Sequence, residues 1–141
     1  MDHITPEHRS WNMSQIRGTD TKIEVKVRSW LFQKGFRFRK NDNRYPGKPD
    51  VVLPGYRTVI FVNGCFWHHH AGCKYATVPK TRTEYWVGKF KRNKQKDKEH
   101  YSQLKDMGWH VVVVWECELK PDRFNSTMEK VLEEIVSNKQ L

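Results

Sequence analysis

Apolar residues recur along this chain in two different periods, and the changes of period mark its elements. Ile23, Val27, Trp30 and Leu31 fall at i, i+4, i+7 and i+8. That spacing draws one stripe along a helix. Thr19-Asp20-Thr21 supplies candidate N-caps just before it and Gly35 a stop just after. Upstream, residues 7–17 predict a short basic helix carrying Trp11, Met13 and Ile16. Phe36-Arg37-Phe38-Arg39 alternates with period two and predicts a strand with one wet face. Residues 41–49 are turn-rich. Residues 50–53 then predict a short strand and Pro54-Gly55 a turn. Residues 58–62 and 109–115 are continuous apolar runs, which predict central strands covered on both faces. A long polar helix is predicted from about Thr83 to Met107, with Gly108 ending it. After Pro121, the residues Phe124, Met128, Val131, Leu132, Ile135 and Val136 predict an amphipathic closing helix.

Helices and strands interleave, so the fold class is α/β with a mixed sheet. The 141 residues hold no internal repeat and no Gly/Ser/Pro linker. One domain over residues 1–141 is expected. Its size is enough for a real core.

Charge narrows the partner. The formal net charge is +10, of which residues 1–48 carry +6 and residues 80–100 carry +5. Two concentrated basic segments suit a polyanion, most often nucleic acid. No apolar run reaches the roughly 18 residues of a membrane span. Met1-Asp2-His3-Ile4-Thr5-Pro6 lacks the apolar centre of a secretion signal. A cytoplasmic protein is therefore expected. In a reducing compartment its three cysteines point to a metal site or free thiols before disulfides.

The cysteines fall in a suggestive place. Cys65, His68, His69, His70 and Cys73 lie within nine residues, and Cys117 follows the last apolar strand. Cys65, Cys73 and Cys117 can give three thiolates and one histidine the fourth donor of a tetrahedral zinc site. Such an ion would pin an otherwise irregular loop and tie two strand ends together. The competing reading is buried thiols beside surface histidines. Three consecutive histidines cannot all reach one ion, so at least one is left for proton transfer.

Other residues read two ways. Asp50 opens a strand after a Gly-Lys-Pro turn. It is either a turn-capping aspartate or a carboxylate for a Mg²⁺ ion acting on a phosphodiester. Glu24 is a second candidate acid, or the partner of Arg28 in an i, i+4 surface pair. Trp30, Trp109 and Trp115 are expected to pack inward. Phe66-Trp67 and Trp86 could do the same, or could wedge into a DNA duplex. A mismatch, already poorly stacked, would lower the cost of that insertion. Lys89, Lys91, Arg92, Lys94, Lys96 and Lys98 form either a solvated helix face or a phosphate-binding one.

Pro49-Asp50-Val51-Val52-Leu53, Val59-Ile60-Phe61-Val62-Asn63-Gly64-Cys65-Phe66-Trp67-His68, Cys73, Thr81-Arg82-Thr83-Glu84-Tyr85-Trp86, Gly108-Trp109 and Val114-Trp115-Glu116-Cys117 together set a longer pattern. It resembles the very short patch repair (Vsr) DNA mismatch endonucleases over almost the whole chain, from residue 9 onward. The resemblance implies a restriction-endonuclease-like mixed β-sheet flanked by helices, with a structural zinc site. It implies an enzyme that nicks one strand 5′ to the thymine of a T·G mismatch left by deamination of 5-methylcytosine. The implied partner is double-stranded DNA carrying that mismatch, with mismatch-repair proteins and a DNA polymerase acting around it. A monomer is the default.

The resemblance also assigns residues. It implies Asp50 as the carboxylate for catalytic Mg²⁺, with the Val62 backbone carbonyl beside it. His68 is implied as the proton-transfer residue and Glu24 as a supporting acid. Zinc is implied on Cys65, His70, Cys73 and Cys117, with His69 an alternative to His70. Phe66, Trp67 and Trp86 resemble aromatics that enter the DNA; the charge of the basic helix, not the resemblance, adds Lys89 and Arg92 as candidate DNA contacts. Residues 1–18 resemble an arm that clamps the opposite groove. Some members have threonine and histidine where Val62 and Asn63 stand. Valine offers the same carbonyl. Asn63 can donate a hydrogen bond to a developing charge but cannot carry a proton. Two other readings of the same fold are a non-catalytic DNA-binding module and a restriction-type endonuclease for matched DNA.

Overall fold

The computed structural model describes residues 21–140. The helix expected over residues 7–17 and the arm of residues 1–18 lie outside them. Helix α1 spans Lys22–Gln33 and starts where the sequence offers its cap. The Thr21 hydroxyl accepts from the Glu24 amide at 3.4 Å, and the Glu24 carboxylate accepts from the Thr21 amide at 3.3 Å. This reciprocal pair satisfies two amides that the first helical turn leaves without partners. Gly35, at φ 93°, ends the helix.

Strand β1 (Val51–Leu53) leads through a tight Pro54–Tyr56 turn into β2 (Thr58–Asn63). Helix α2 (Thr83–Asp106) carries the chain to β3 (His110–Trp115). A short Glu116–Leu119 turn precedes the closing helix α3 (Phe124–Ser137). The sheet order is β1-β2-β3. β1 and β2 are antiparallel, with Val51 opposite Ile60. β2 and β3 are parallel, with Asn63 opposite Trp115. A parallel pair needs a long crossover, and α2 supplies it.

Period two divides β2 between two cores. Ile60 and Val62 join Val51, Leu53, Val112 and Val114 against Val27 and Leu31 of α1 and Met128, Val131 and Ile135 of α3. Val59 and Phe61 face the other way, with Val52 and Trp109, against Leu104 of α2. The central strand is covered on both faces, as its unbroken apolar run requires. The result is a mixed α/β arrangement: a three-stranded sheet between α1 and α3 on one side and α2 on the other.

Four expectations need correction. Residues 109–115 do not give a central strand: among the described residues β3 pairs only with β2, at the sheet edge, and Val111, Val113 and Trp115 are half-buried. Residues 36–39 form no strand of their own; only Arg39 pairs, with Val52. The reason lies one turn earlier. The Phe36 amide bonds back to the Leu31 carbonyl at 3.1 Å, and its ring is buried in the core. Phe36 belongs to the helix end, and the chain meets β1 only from Arg39 on, where the Asn41 amide also bonds to the Asp50 carbonyl at 3.4 Å. Among the tryptophans expected inside, Trp109 is buried, whereas Trp30 and Trp115 are half-buried. The apolar stripe of α3 stops short of Val136, which is 52 % exposed. No helix among the described residues is long and apolar enough to cross a membrane.

Candidate active site and metal centre

Asp50 stands one residue before β1, where the antiparallel register carries its side chain across to β2. It is 7 % exposed, and its Oδ2 accepts from the Val62 amide at 2.6 Å. Burial pushes its carboxyl up to about 8. The Val62 amide opposes that shift, the nearby Glu24 carboxylate adds to it, and Arg28 works against it. Glu24 and Arg28 do form the i, i+4 pair, at 3.7 Å. They do not form it on the surface: Glu24 is 4 % exposed and Arg28 7 %. The surface reading of this pair is corrected because the first turn of α1 lies against the β1–β2 strand ends. One carboxylate thus caps a helix, pairs with an arginine and neighbours a second buried acid.

Asn63 ends β2 and is 2 % exposed. Its amide Nδ2 donates to the Tyr101 hydroxyl of α2 at 2.8 Å.

Beyond Gly64 the chain winds into helical turns. The amides of His68, His69 and His70 bond to the carbonyls of Gly64, Phe66 and Cys65 at 3.1, 3.1 and 2.9 Å. His69 adopts a left-handed backbone, φ 44°. That reversal sends three adjacent imidazoles in three directions. His68 Nδ1 meets Asp97 Oδ2 at 2.7 Å. His69 stacks on Phe90, with ring centres 4.4 Å apart and planes 6° from parallel. His70 stacks on Trp115 at 3.9 Å and 5°.

His70 is the histidine that faces the cysteines. The donor atoms of Cys65, His70, Cys73 and Cys117 all lie within 4.8 Å of one another. His70 Nδ1 is 3.8 Å from the Cys65 sulfur and 3.5 Å from that of Cys117. Ligands at zinc–sulfur and zinc–nitrogen bond lengths in a tetrahedron stand roughly 3.5–3.8 Å apart, so the donor set fits a metal ion. The Cys117 amide donates to the Cys65 sulfur at 3.3 Å, and Glu116 accepts from the Cys65 amide at 3.3 Å. Such outer hydrogen bonds orient a thiolate. Burial pushes the Cys65 thiol up to about 12 and raises Cys117 as well, while backbone N–H groups, that of Tyr75 first, lower Cys73. These cysteines form no disulfide.

Phe66, Trp67 and Trp86 are half-buried and pack on one another. Phe66 meets Trp67, Trp86 and Phe90 edge-on, with ring centres 5.2, 5.5 and 5.2 Å away. The Asn93 amide holds the Trp67 carbonyl at 2.9 Å. An open cleft of about 310 Å³ lies between the histidine loop and α2, and its lining includes His68, Lys94, Asp97, Lys98, Tyr101 and Trp115. The basic residues on this face are Lys94 and Lys98. Lys89 and Arg92, singled out from the sequence, do not line it.

The structure therefore gathers the sequence candidates into neighbouring groups: Asp50 with Glu24 and Val62, His68 on the cleft, the four metal donors, and the aromatic cluster. Sequence reasoning missed Asp97, Tyr101 and Asn93. A helical pattern of i, i+4 from Asp97 to Tyr101, on the face that carries Phe90, was the one signal that could have shown two of them.

A family model described as DNA mismatch endonuclease Vsr matches residues 1–74. A type II nicking enzyme of Neisseria meningitidis is 48 % identical over 119 residues, covering 84 % of each chain. Another, from Xanthomonas oryzae, is 45 % identical over 118 residues, 84 % of this chain and 86 % of its own. The DNA mismatch endonuclease Vsr of Escherichia coli is 47 % identical over 112 residues, 79 % of this chain and 71 % of its own. With most of both chains aligned at close to half identity, and with the Gly64-to-His68 string in place, the chain belongs to the Vsr family of DNA mismatch endonucleases.

Proposed function

We infer that this DNA-cleaving hydrolase is a mismatch nickase, cutting one strand 5′ to the thymine of a T·G mismatch produced by deamination of 5-methylcytosine. The observation that carries the reading is a buried carboxylate, Asp50, held by the amide of Val62 of β2, the strand that continues into the loop whose His68 pairs with Asp97 of α2. The relatives named as nicking enzymes support single-strand cutting.

Each residue has a task. Asp50, with the Val62 carbonyl beside it, would hold Mg²⁺, and Glu24 supports that carboxylate from α1. The raised Asp50 fits a cation, because burial there disfavours an uncompensated negative charge. Mg²⁺, when bound, neutralises phosphate charge and lowers the pKa of water. His68 directs Nδ1 to Asp97 and so presents Nε2 to take the proton of the attacking water. Asn63 donates a hydrogen bond near the reacting phosphate. Cys65, His70, Cys73 and Cys117 would hold Zn²⁺ and keep the loop's three imidazoles apart. Phe66, Trp67 and Trp86 enter the duplex beside the mismatch, and Lys89 and Arg92 contact phosphates.

The reading extends to a restriction-endonuclease-like single domain over residues 1–141, acting as a monomer, with residues 1–18 as an arm on the DNA. It places the enzyme on chromosomal DNA in the cytoplasm, ahead of repair proteins and a polymerase. The test is incubation with G·T and matched duplexes, with and without Mg²⁺. Mg²⁺-dependent nicking of the G·T duplex alone supports the reading. Equal cutting of both duplexes, or full activity in Asp50→Ala, refutes it.

A further inference from the structure

We propose that Tyr101, cocked by Asn63, is a hydrogen-bond donor to the scissile phosphate, and so a further catalytic residue of the reaction. This rests on the nickase reading above. Tyr101 sits on the inner face of α2, four residues after Asp97, and lines the same cleft as His68, Lys94 and Lys98. Its ring is fixed by Phe61 of β2, with centres 4.9 Å apart. Its hydroxyl oxygen is occupied as an acceptor by Asn63 Nδ2 at 2.8 Å. A phenol has one proton to give, and among the described residues no acceptor takes it.

The electrostatics agree with a donor. Burial pushes the Tyr101 hydroxyl up to about 12, and the Asp97 and Asp50 carboxylates both add to the rise. Tyr101 shares its cleft with the His68–Asp97 pair. It keeps its proton throughout the working pH range and donates rather than transfers it. A phosphate drawn into the cleft by Lys94 and Lys98 would present a non-bridging oxygen to that O–H. Negative charge grows on this oxygen as water adds to phosphorus and the bond to the leaving oxygen breaks. A donor already oriented for it needs no rearrangement during the reaction. Asn63 then acts through Tyr101 as a positioning residue, in addition to the direct donation assigned to it above.

The experiment is single-turnover nicking of a G·T duplex by the wild type, Tyr101→Phe and Asn63→Ala in Mg²⁺. Affinity is measured in Ca²⁺ and Tm alongside. Tyr101→Phe keeps the ring that packs on Phe61. The expected result is a rate lower by roughly 10- to 100-fold in Tyr101→Phe, with Kd and Tm close to wild type. A second readout separates donation from mere packing. Sulfur accepts hydrogen bonds poorly, so one phosphorothioate diastereomer at the scissile position slows the wild type, and that slowing shrinks in Tyr101→Phe. A Tyr101→Phe rate within twofold of an active wild type overturns the proposal, as does a slowed variant whose phosphorothioate effects match the wild type. A wild type that nicks no G·T duplex overturns the proposal and the nickase reading together.

Discussion

The His68 imidazole and the Asp97 carboxylate meet at 2.7 Å, although 29 residues separate them. One comes from a loop of helical turns, the other from the middle of a long basic helix. An acceptor on Nδ1 fixes which tautomer the ring adopts and which way Nε2 points. In the proposed mechanism Asp97 is a positioning residue. Asp97→Asn keeps the size but cannot accept in the same way. Single-turnover nicking should fall on the order of 100-fold or more. DNA affinity and Tm should change little, because both side chains remain partly exposed, at 30 % and 21 %. A variant that loses affinity and stability in step with rate would show Asp97 to be structural.

The four-donor cluster should bind one metal ion per chain, measurable by elemental analysis. Its thiols, raised at Cys65 and Cys117 by burial, must release protons as the ion binds. Zinc added to stripped protein in weak buffer should therefore acidify the solution. Removing the ion with a chelator, or replacing Cys117 by Ser, unties β3 from the loop after β2. The expected cost is at least several kcal/mol, or a fall in Tm on the order of 10 °C. Unchanged Tm after verified metal removal would contradict the structural role.

Asp50 should show the opposite signs for stability and activity. Its folded pKa, about 8, lies above the ordinary carboxylate value of 3.8. A raised acid favours the folded state when protonated. The contribution of this group is thus full below about 3.8 and lost as pH rises toward 8. Activity runs the other way, since a cation needs the carboxylate. Nicking should increase with pH up to about 8, and higher Mg²⁺ should move that limb to lower pH. Asp50→Asn should nick no DNA yet, in Mg²⁺-free buffer near pH 8, melt at or above the wild-type temperature, by on the order of 1 kcal/mol. Melting curves across pH decide this, and a clearly less stable Asp50→Asn would count against the burial argument.

The sequence shows some of these features and hides others. β2 is legible because an apolar run buried on both faces leaves no alternative pattern, whereas the similar run of β3 shows a strand but not its place at the sheet edge. The C-terminal end of α2 follows from Gly108, whose φ of 89° suits a helix stop. The metal donors stood out by density. Asp97 did not, because one acid among lysines looks like a solvated helix, and only the packing of α2 on the histidine loop gives it a partner. Tyr101 reads in the sequence as an ordinary apolar position of the helix, and only the fold brings Asn63 to its hydroxyl. The left-handed turn at His69, which decides which histidine faces the cysteines, has no local marker such as glycine. Burial of the Glu24–Arg28 pair likewise depends on where α1 docks, not on its spacing.

Lys94 and Lys98 line the face of α2 that carries Asp97 and Tyr101, one helical turn apart. If they neutralise backbone phosphates of the bound strand, each releases condensed counterions. The slope of log K against log salt should then lose about 0.9 per lysine. Binding of G·T and matched duplexes, followed by fluorescence anisotropy from low to moderate salt in Ca²⁺, should show Lys94→Ala/Lys98→Ala shallower than wild type by about 2. The loss should be similar for both duplexes, because phosphate contacts carry no base information. The mismatch preference should survive, since it is assigned to Phe66, Trp67 and Trp86. An unchanged slope would leave Lys94 and Lys98 as solvated surface. A loss confined to the mismatched duplex would mean that they read the mismatch itself.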